Sequence, residues 1–166
     1  MRQHLTRSLP YAPQDLFSLV GDVERYPEFV PWIVSVRTWN PQRVSETTEG
    51  VDAEVSVGFA LLKERFATRV RRDGERLQVD VSLLSGPFRR LVNRWRFTPS
   101  PQGTRVDFEI DFELRSRLLE GLVRANLHHA VDRLMACFEA RAAALYGPSP
   151  GPGLPGSAPG PSAAAS

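Results

Sequence analysis

From Arg115 to Tyr146 the apolar residues return every three or four positions: Leu118, Leu119, Leu122, Val123, Leu127, Ala130, Val131, Leu134, Met135, Phe138, Ala142 and Leu145. That is the period of an amphipathic helix with one wide apolar stripe. Glu120, Arg124, His128, Asp132 and Glu139 fall mostly on the opposite side. Ser116 suits the N-cap, Glu120 stands near the positive helix end, and Gly147 followed by Pro148 is a stop. Such a helix runs about 45 Å, far longer than a mean helix of about 12 residues. It must lie across something large and apolar.

The preceding chain supplies that partner as strands. Arg2 to Leu9 reads as a first strand, and Pro13 opens a short helix over Gln14 to Val20. In Asp22–Trp32 two prolines, Pro27 and Pro31, forbid a long helix. Tyr26, Phe29 and Trp32 tie that turn to the core. From Ile33 the period becomes two, predicting strands near Ile33–Arg43, Thr47–Gly58, Leu61–Arg72, Arg76–Leu84, Arg89–Thr98 and Thr104–Leu114. Val106, Phe108, Ile110, Phe112 and Leu114 point one way, and Asp107, Glu109, Asp111 and Glu113 the other. Leu77, Val79, Val81 and Leu83 form a second inward row, and Asn93, Trp95 and Phe97 a third. Asp73-Gly74, Ser85-Gly86-Pro87 and Pro101-Gln102-Gly103 are turns. The expected class is α+β: a curved antiparallel sheet of about seven strands wrapped on a long C-terminal helix, one face wet. Residues 1–146 form the domain; in 147–166 only Leu154 is not Gly, Pro, Ser or Ala, so a disordered tail is expected.

Charge changes this picture little. The 21 basic residues, all arginine except Lys63, face 19 acidic ones, a net charge of +2 that does not call for DNA. The densest basic cluster is Arg89, Arg90, Arg94 and Arg96. The outward carboxylates of the next strand are expected to neutralise Arg94 and Arg96 and to leave Arg89 and Arg90 as the freer surface contact. Cys137 is the only cysteine, so no internal disulfide exists, and its neighbours Leu134 and Phe138 point to an inert buried thiol. His128 and Asp132 share a helix face but lack a third ligand, so no metal is expected. No nucleophile motif and no paired carboxylates mark a catalytic residue. No apolar run approaches the ~20 residues of a membrane span, and nothing after Met1 reads as a signal or transit peptide. The aromatics Trp32, Phe59, Phe66, Phe88, Trp95 and Phe97 fit either ordinary core or the lining of a pocket.

Two motifs narrow the choice. DVERYPEFVPW at Asp22–Trp32 resembles the D-V-x-x-Y-P-x-F-x-P-W element of the coenzyme Q-binding branch of the START-like superfamily. SGPFRRLVNRWRFTP at Ser85–Pro99 resembles its G-P-F-x-x-L-x-x-x-W-x-F element. The resemblance spans Met1 to Tyr146 and implies the helix-grip fold of that superfamily. It implies a non-enzymatic protein whose cavity takes ubiquinone or another polyisoprenoid lipid and supports its delivery to respiratory complexes, with no resident cofactor. The branch also includes ribosome association toxins, which makes a ribosomal subunit an alternative partner, and the fold also hosts aromatase/cyclase enzymes. On this basis the expected pocket is Trp32, Phe59, Phe66, Trp95, Phe97, Leu127 and Val131, with Ala53 and Ala130 leaving space. Phe29, Val30, Pro31 and Phe88, beside Arg25, Arg89 and Arg90, are expected to form a gate. An apolar lip flanked by arginines suits brief contact with an anionic membrane, placing the chain in the cytoplasm and peripherally at the inner membrane.

Overall fold

The computed structural model describes residues 1–59 and 62–147. The side chain of Phe59 and the tail from Pro148 to Ser166 lie outside the described residues. The elements in order are β1 (Arg2–Leu9), α1 (Pro13–Gly21), a 3-10 turn (Val23–Glu28), β2 (Ile33–Arg43), β3 (Thr48–Phe59), β4 (Leu62–Asp73), β5 (Gln78–Ser85), β6 (Phe88–Ser100), β7 (Gly103–Leu114) and α2 (Arg117–Tyr146). Each strand from β3 to β7 pairs antiparallel with its predecessor, and β1 pairs antiparallel with β7, giving the order β1-β7-β6-β5-β4-β3-β2 with β1 and β2 at the two edges. The short connections from β2 to β7 permit only antiparallel neighbours, as the short spacing between the expected strands implied. Register shifts at Ile33/Ser35, Trp39/Gln42, Ala67/Thr68 and Phe88/Arg90 interrupt the ladders. Such bulges bend strands, and a bent sheet has a concave face for α2 to lie in.

Ser116 caps α2, its hydroxyl accepting the Leu119 N–H at 3.2 Å. The C-terminal half of the helix is seated firmly. Val131, Met135, Phe138 and Ala142 are buried, and the Phe138 ring meets Tyr26, Phe29 and Trp95 at 5.2, 5.1 and 4.9 Å between centroids. Arg141 pairs with Glu28 at 3.1 Å and the Tyr146 hydroxyl donates to the Asp15 carbonyl, so the turn, α1 and α2 lock together. The N-terminal half departs from the single stripe expected of it. Leu118 is 79% and Leu122 60% exposed, Ala130 also faces solvent, and of that half Leu119, Val123 and Leu127 turn toward the sheet; at the other end of the helix Leu145 is exposed as well. A helix end that overhangs the sheet touches it along one narrow line, so adjacent members of a wide stripe are left in water.

One buried carboxylate helps hold β2, β3 and β4 together. Asp52 accepts from Arg69 Nε at 3.1 Å and from Asn40 Nδ2 at 3.0 Å. The Arg69 hydrogen bond, followed by that of Asn40, holds its carboxyl below the usual aspartate range. Stabilisation by a depressed carboxylate is complete above the unfolded-state value near 4 and disappears as pH falls through the lower folded value. Melting temperatures measured from about pH 5 down to about pH 2 should therefore fall less steeply for Asp52→Asn than for the parent. Parallel curves would show that Asp52 carries no such linkage.

Candidate ligand cavity

A cavity of about 350 Å³ lies between the concave face of the sheet and α2. Strand alternation builds it: Ala53, Val55 and Val57 from β3, Glu64, Phe66, Thr68 and Val70 from β4, Leu91, Asn93 and Trp95 from β6, and Phe108, Ile110, Phe112 and Leu114 from β7. Leu119, Val123, Leu127, Leu134 and Phe138 of α2 form the lid. At its inner end Trp95 meets the edge of Phe108, with centroids 4.7 Å apart. Trp32 borders the cavity under the Arg133 guanidinium, 5.3 Å from the ring centroid. Tyr26 also lines it, but its hydroxyl donates to the Val20 carbonyl and burial pushes the phenol far above its ordinary value. It is a neutral wall residue and no proton donor for a ligand.

The 85–88 turn forms another border. Phe88 packs edge-on against Phe66 at 5.3 Å and Phe112 at 6.2 Å. Gly86 makes that approach possible. Its φ is +144°, and a Cβ there would stand 2.5 Å from Phe66 Cβ, so any side chain would push the turn off the wall.

Of the residues expected at the pocket, Trp32, Phe66, Trp95, Leu127 and Phe88 do line the cavity. Phe97 and Val131 do not. Phe97 is 3% exposed and meets Phe17 of α1 at 6.5 Å, and Val131 is buried in the same core cluster. Both face inward, but α1 and the seated half of α2 fill that end of the grip. Phe59 lies outside the described side chains. Of the expected space-makers Ala53 lines the cavity, while Ala130 faces solvent.

The gate expected at Phe29, Val30 and Pro31 is corrected. Val30 is fully buried, its N–H bonded to the Tyr26 carbonyl and its own carbonyl to the Ile33 N–H. Phe29 packs on Phe138 beneath Arg141, Pro31 points outward, and none of the three lines the cavity. The backbone hydrogen bonds fold this turn into the core, and Arg25 is held by Glu28 at 3.2 Å. The arginines are corrected as well. Arg90 reaches Asp111 at 3.0 Å and Glu113 at 3.6 Å, and Arg89 reaches Glu113 at 3.7 Å. Arg94 instead pairs across to Asp80 of β5 at 2.6 Å, and Arg96 has no ion pair among the described residues. A bulge between Phe88 and Arg90 brings two consecutive arginines to one carboxylate, Glu113.

Two lining residues carry polarity that sequence reading passed over. Glu64 brings a carboxylate to a cavity where none was expected. Its signal was present in the period: Glu64, Phe66, Thr68 and Val70 occupy alternate positions of β4. Asn93 had been placed on an inward row but given no role. Its Nδ2 donates to the Glu109 carbonyl at 2.8 Å and its Oδ1 accepts from Trp95 Nε1 at 2.9 Å. Thr68 uses its hydroxyl on the Ala53 carbonyl. Away from the cavity, His128 stands 3.3 Å from Asp132, which also takes Arg7 at 3.2 Å. Among the described residues no group of three or more His, Cys, Asp or Glu could hold a metal, and no helix is long and apolar enough to cross a membrane.

A seven-stranded antiparallel sheet gripping a long C-terminal helix over an apolar cavity defines a START-like helix-grip protein. The chain belongs to the family described as polyketide cyclase / dehydrase and lipid transport, which matches residues 9–139. It is 34% identical over 143 residues to the ribosome association toxin RatA of Rickettsia prowazekii, covering 84% of this chain and 94% of that one. It is 29% identical over 148 residues to the mitochondrial coenzyme Q-binding protein COQ10 homolog B of Xenopus laevis, covering 86% of this chain and 58% of the relative. The solution structure of the 18 kDa protein CC1736 from Caulobacter crescentus superposes with a TM-score of 0.76 at 54% identity, over 88% of this chain and 98% of that one.

Proposed function

We propose that this protein binds an uncharged polyisoprenoid lipid, a quinone of the ubiquinone type, and carries it toward respiratory complexes without chemically changing it. The observation that carries the proposal is the cavity itself: about 350 Å³, walled by aliphatic and aromatic side chains, with no arginine, lysine or histidine among the described residues of its lining. That volume is at the small end of the ~300–1,000 Å³ typical of ligand sites. It suits a ring and the start of a tail. At about 25 cal/mol per Å² of apolar surface, a few hundred Å² of buried isoprenoid supplies several kcal/mol. The remaining tail leaves past Leu119 and Val123, beside the exposed Leu118 and Leu122 and the arginines of that helix end, where the protein meets an anionic bilayer. The name of the Xenopus laevis relative supports a quinone, and the family description supports lipid transport. A non-enzymatic role is supported by the lining: the Tyr26 hydroxyl is occupied, Cys137 is not part of it, and Glu64 has no second carboxylate beside it for acid–base work.

The purified protein should release a quinone into organic solvent, identified by mass spectrometry, and decyl-ubiquinone should quench its tryptophan fluorescence at one equivalent. An extract free of quinone, with no quenching by decyl-ubiquinone, would refute the assignment. The Rickettsia prowazekii relative, named for ribosome association, favours a second reading in which the arginine-rich surface binds a ribosomal subunit. Salt-sensitive co-sedimentation with isolated subunits is its signature.

A further inference from the structure

We infer that the cavity selects a neutral head group bearing a carbonyl or hydroxyl, that Asn93 is its hydrogen-bonding anchor, and that Glu64 excludes anionic lipids. This rests on the lipid-binding proposal above and names the chemistry the site reads. The cavity lining is apolar apart from a few groups, most of which are occupied. Thr68 is bonded to Ala53, Tyr26 to Val20, and the Trp95 indole N–H to Asn93.

Asn93 is different. An amide side chain has two donors and a carbonyl oxygen with two lone pairs. One donor meets the Glu109 carbonyl and one lone pair meets Trp95 Nε1. Those partners, a pure acceptor and a pure donor, fix which end of the amide is oxygen. One N–H and one lone pair remain for a molecule in the cavity. A neutral group with a donor and an acceptor suits a quinone carbonyl or a quinol hydroxyl equally. It cannot balance a charge.

Position supports this division of labour. Asn93 pairs in register with Val81 and Ile110, mid-sheet, and Val81 in turn with Val70 of β4. Glu64 lies opposite Val57, close to the β3–β4 tip, six residues along β4 from Val70. At about 3.3 Å per residue that is on the order of 20 Å of strand. Asn93 therefore reads a head group carried deep into the grip, while Glu64 stands toward the tip. A fatty acid or acidic phospholipid head would enter past a carboxylate and find no cation to pair with, at a cost that apolar contact does not offset.

Displacement of the neutral fluorescent probe N-phenyl-1-naphthylamine by three ligands with equal tails tests this: decyl-ubiquinone, decylbenzene and decanoate. The parent should bind decyl-ubiquinone most tightly and decanoate most weakly. Asn93→Leu and Asn93→Asp should each weaken decyl-ubiquinone roughly fivefold, the worth of about one hydrogen bond, with decylbenzene within twofold of the parent. The aspartate keeps an acceptor for Trp95 but sets a carboxylate oxygen against the Glu109 carbonyl, so circular dichroism and thermal melts first establish that each variant is folded. In infrared difference spectra the bound quinone carbonyl stretch should lie at lower wavenumber in the parent than in either variant. Glu64→Gln should improve decanoate binding severalfold relative to decyl-ubiquinone; an unchanged ratio would refute the role of Glu64. If both Asn93 variants bind decyl-ubiquinone like the parent and the carbonyl band does not move, the anchor is refuted while the lipid-binding function stands. Equal binding of all three ligands by the parent would refute the selectivity. A parent that binds decylbenzene but not decyl-ubiquinone would overturn the quinone function itself.

Discussion

Val131→Asp should leave no folded protein. Val131 is 4% exposed in the cluster that joins α2 to the sheet, among Val79, Trp95, Phe108 and Met135. An unpaired carboxylate in such a place costs several kcal/mol beyond the lost packing. A domain of this size has only about 5–15 kcal/mol to lose. Leu127→Asp is the instructive companion. Leu127 is partly buried and lines the cavity one turn nearer the overhanging end, where water can reach a new carboxylate. That variant should fold, melt lower and lose decyl-ubiquinone binding. Circular dichroism and thermal melts check both. A Val131→Asp variant melting within a few degrees of the parent would show that the helix face is wrongly assigned.

Leu118→Glu with Leu122→Glu should give the opposite result: an unchanged fold and a transfer rate to anionic vesicles reduced at least tenfold. The two leucines stand four residues apart, one helical turn, and are 79% and 60% exposed. Their replacement removes little packing. On a bilayer each leucine would bury apolar area worth about 1.5–3 kcal/mol, and Arg115, Arg117 and Arg124 beside them would each gain about 1 kcal/mol near anionic lipid. Two glutamates abolish the first contribution and oppose the second. Binding of decyl-ubiquinone in solution should stay within twofold, because Leu119 and Val123, not Leu118 and Leu122, line the cavity. Added salt should slow the parent on anionic vesicles and have little effect on neutral ones. Unchanged transfer by the double variant would place membrane contact elsewhere. Loss of ribosomal co-sedimentation with intact transfer would favour the translational role.

Much of the architecture was legible without coordinates, because it rests on local period. Alternation in Val106, Phe108, Ile110, Phe112 and Leu114 survives as the inward row of β7, four of them buried and Ile110 half-buried against the cavity, since a strand has only two faces. Ser116 and Gly147 bound the long helix because orphan backbone groups at its ends need partners. The Asp22–Trp32 and Ser85–Pro99 motifs pointed to a family that the comparisons confirm. Even Glu64 was readable in principle, since it shares a parity with Phe66, Thr68 and Val70.

Local pattern could say which residues face inward, but not what each one meets there. Trp95 and Phe97 are two apart on one strand and stack at 6.4 Å, yet Trp95 borders empty space and Phe97 is covered by Phe17. The difference comes from where α1 lies, which depends on contacts distant in sequence. Val30 sits between prolines and looks like a loop residue, but two backbone hydrogen bonds turn it under the sheet. Arg89 and Arg90 lost their apparent freedom to a bulge, a shift of register that period-two reading cannot see. The sequence alone therefore determined the strands with their two faces, the long helix and the family, all of which depend on neighbours a few residues away. The cavity's extent, its Asn93 and Glu64 chemistry and the exposed Leu118–Leu122 edge were decided by tertiary structure, because emptiness and exposure depend on what the rest of the chain fails to cover.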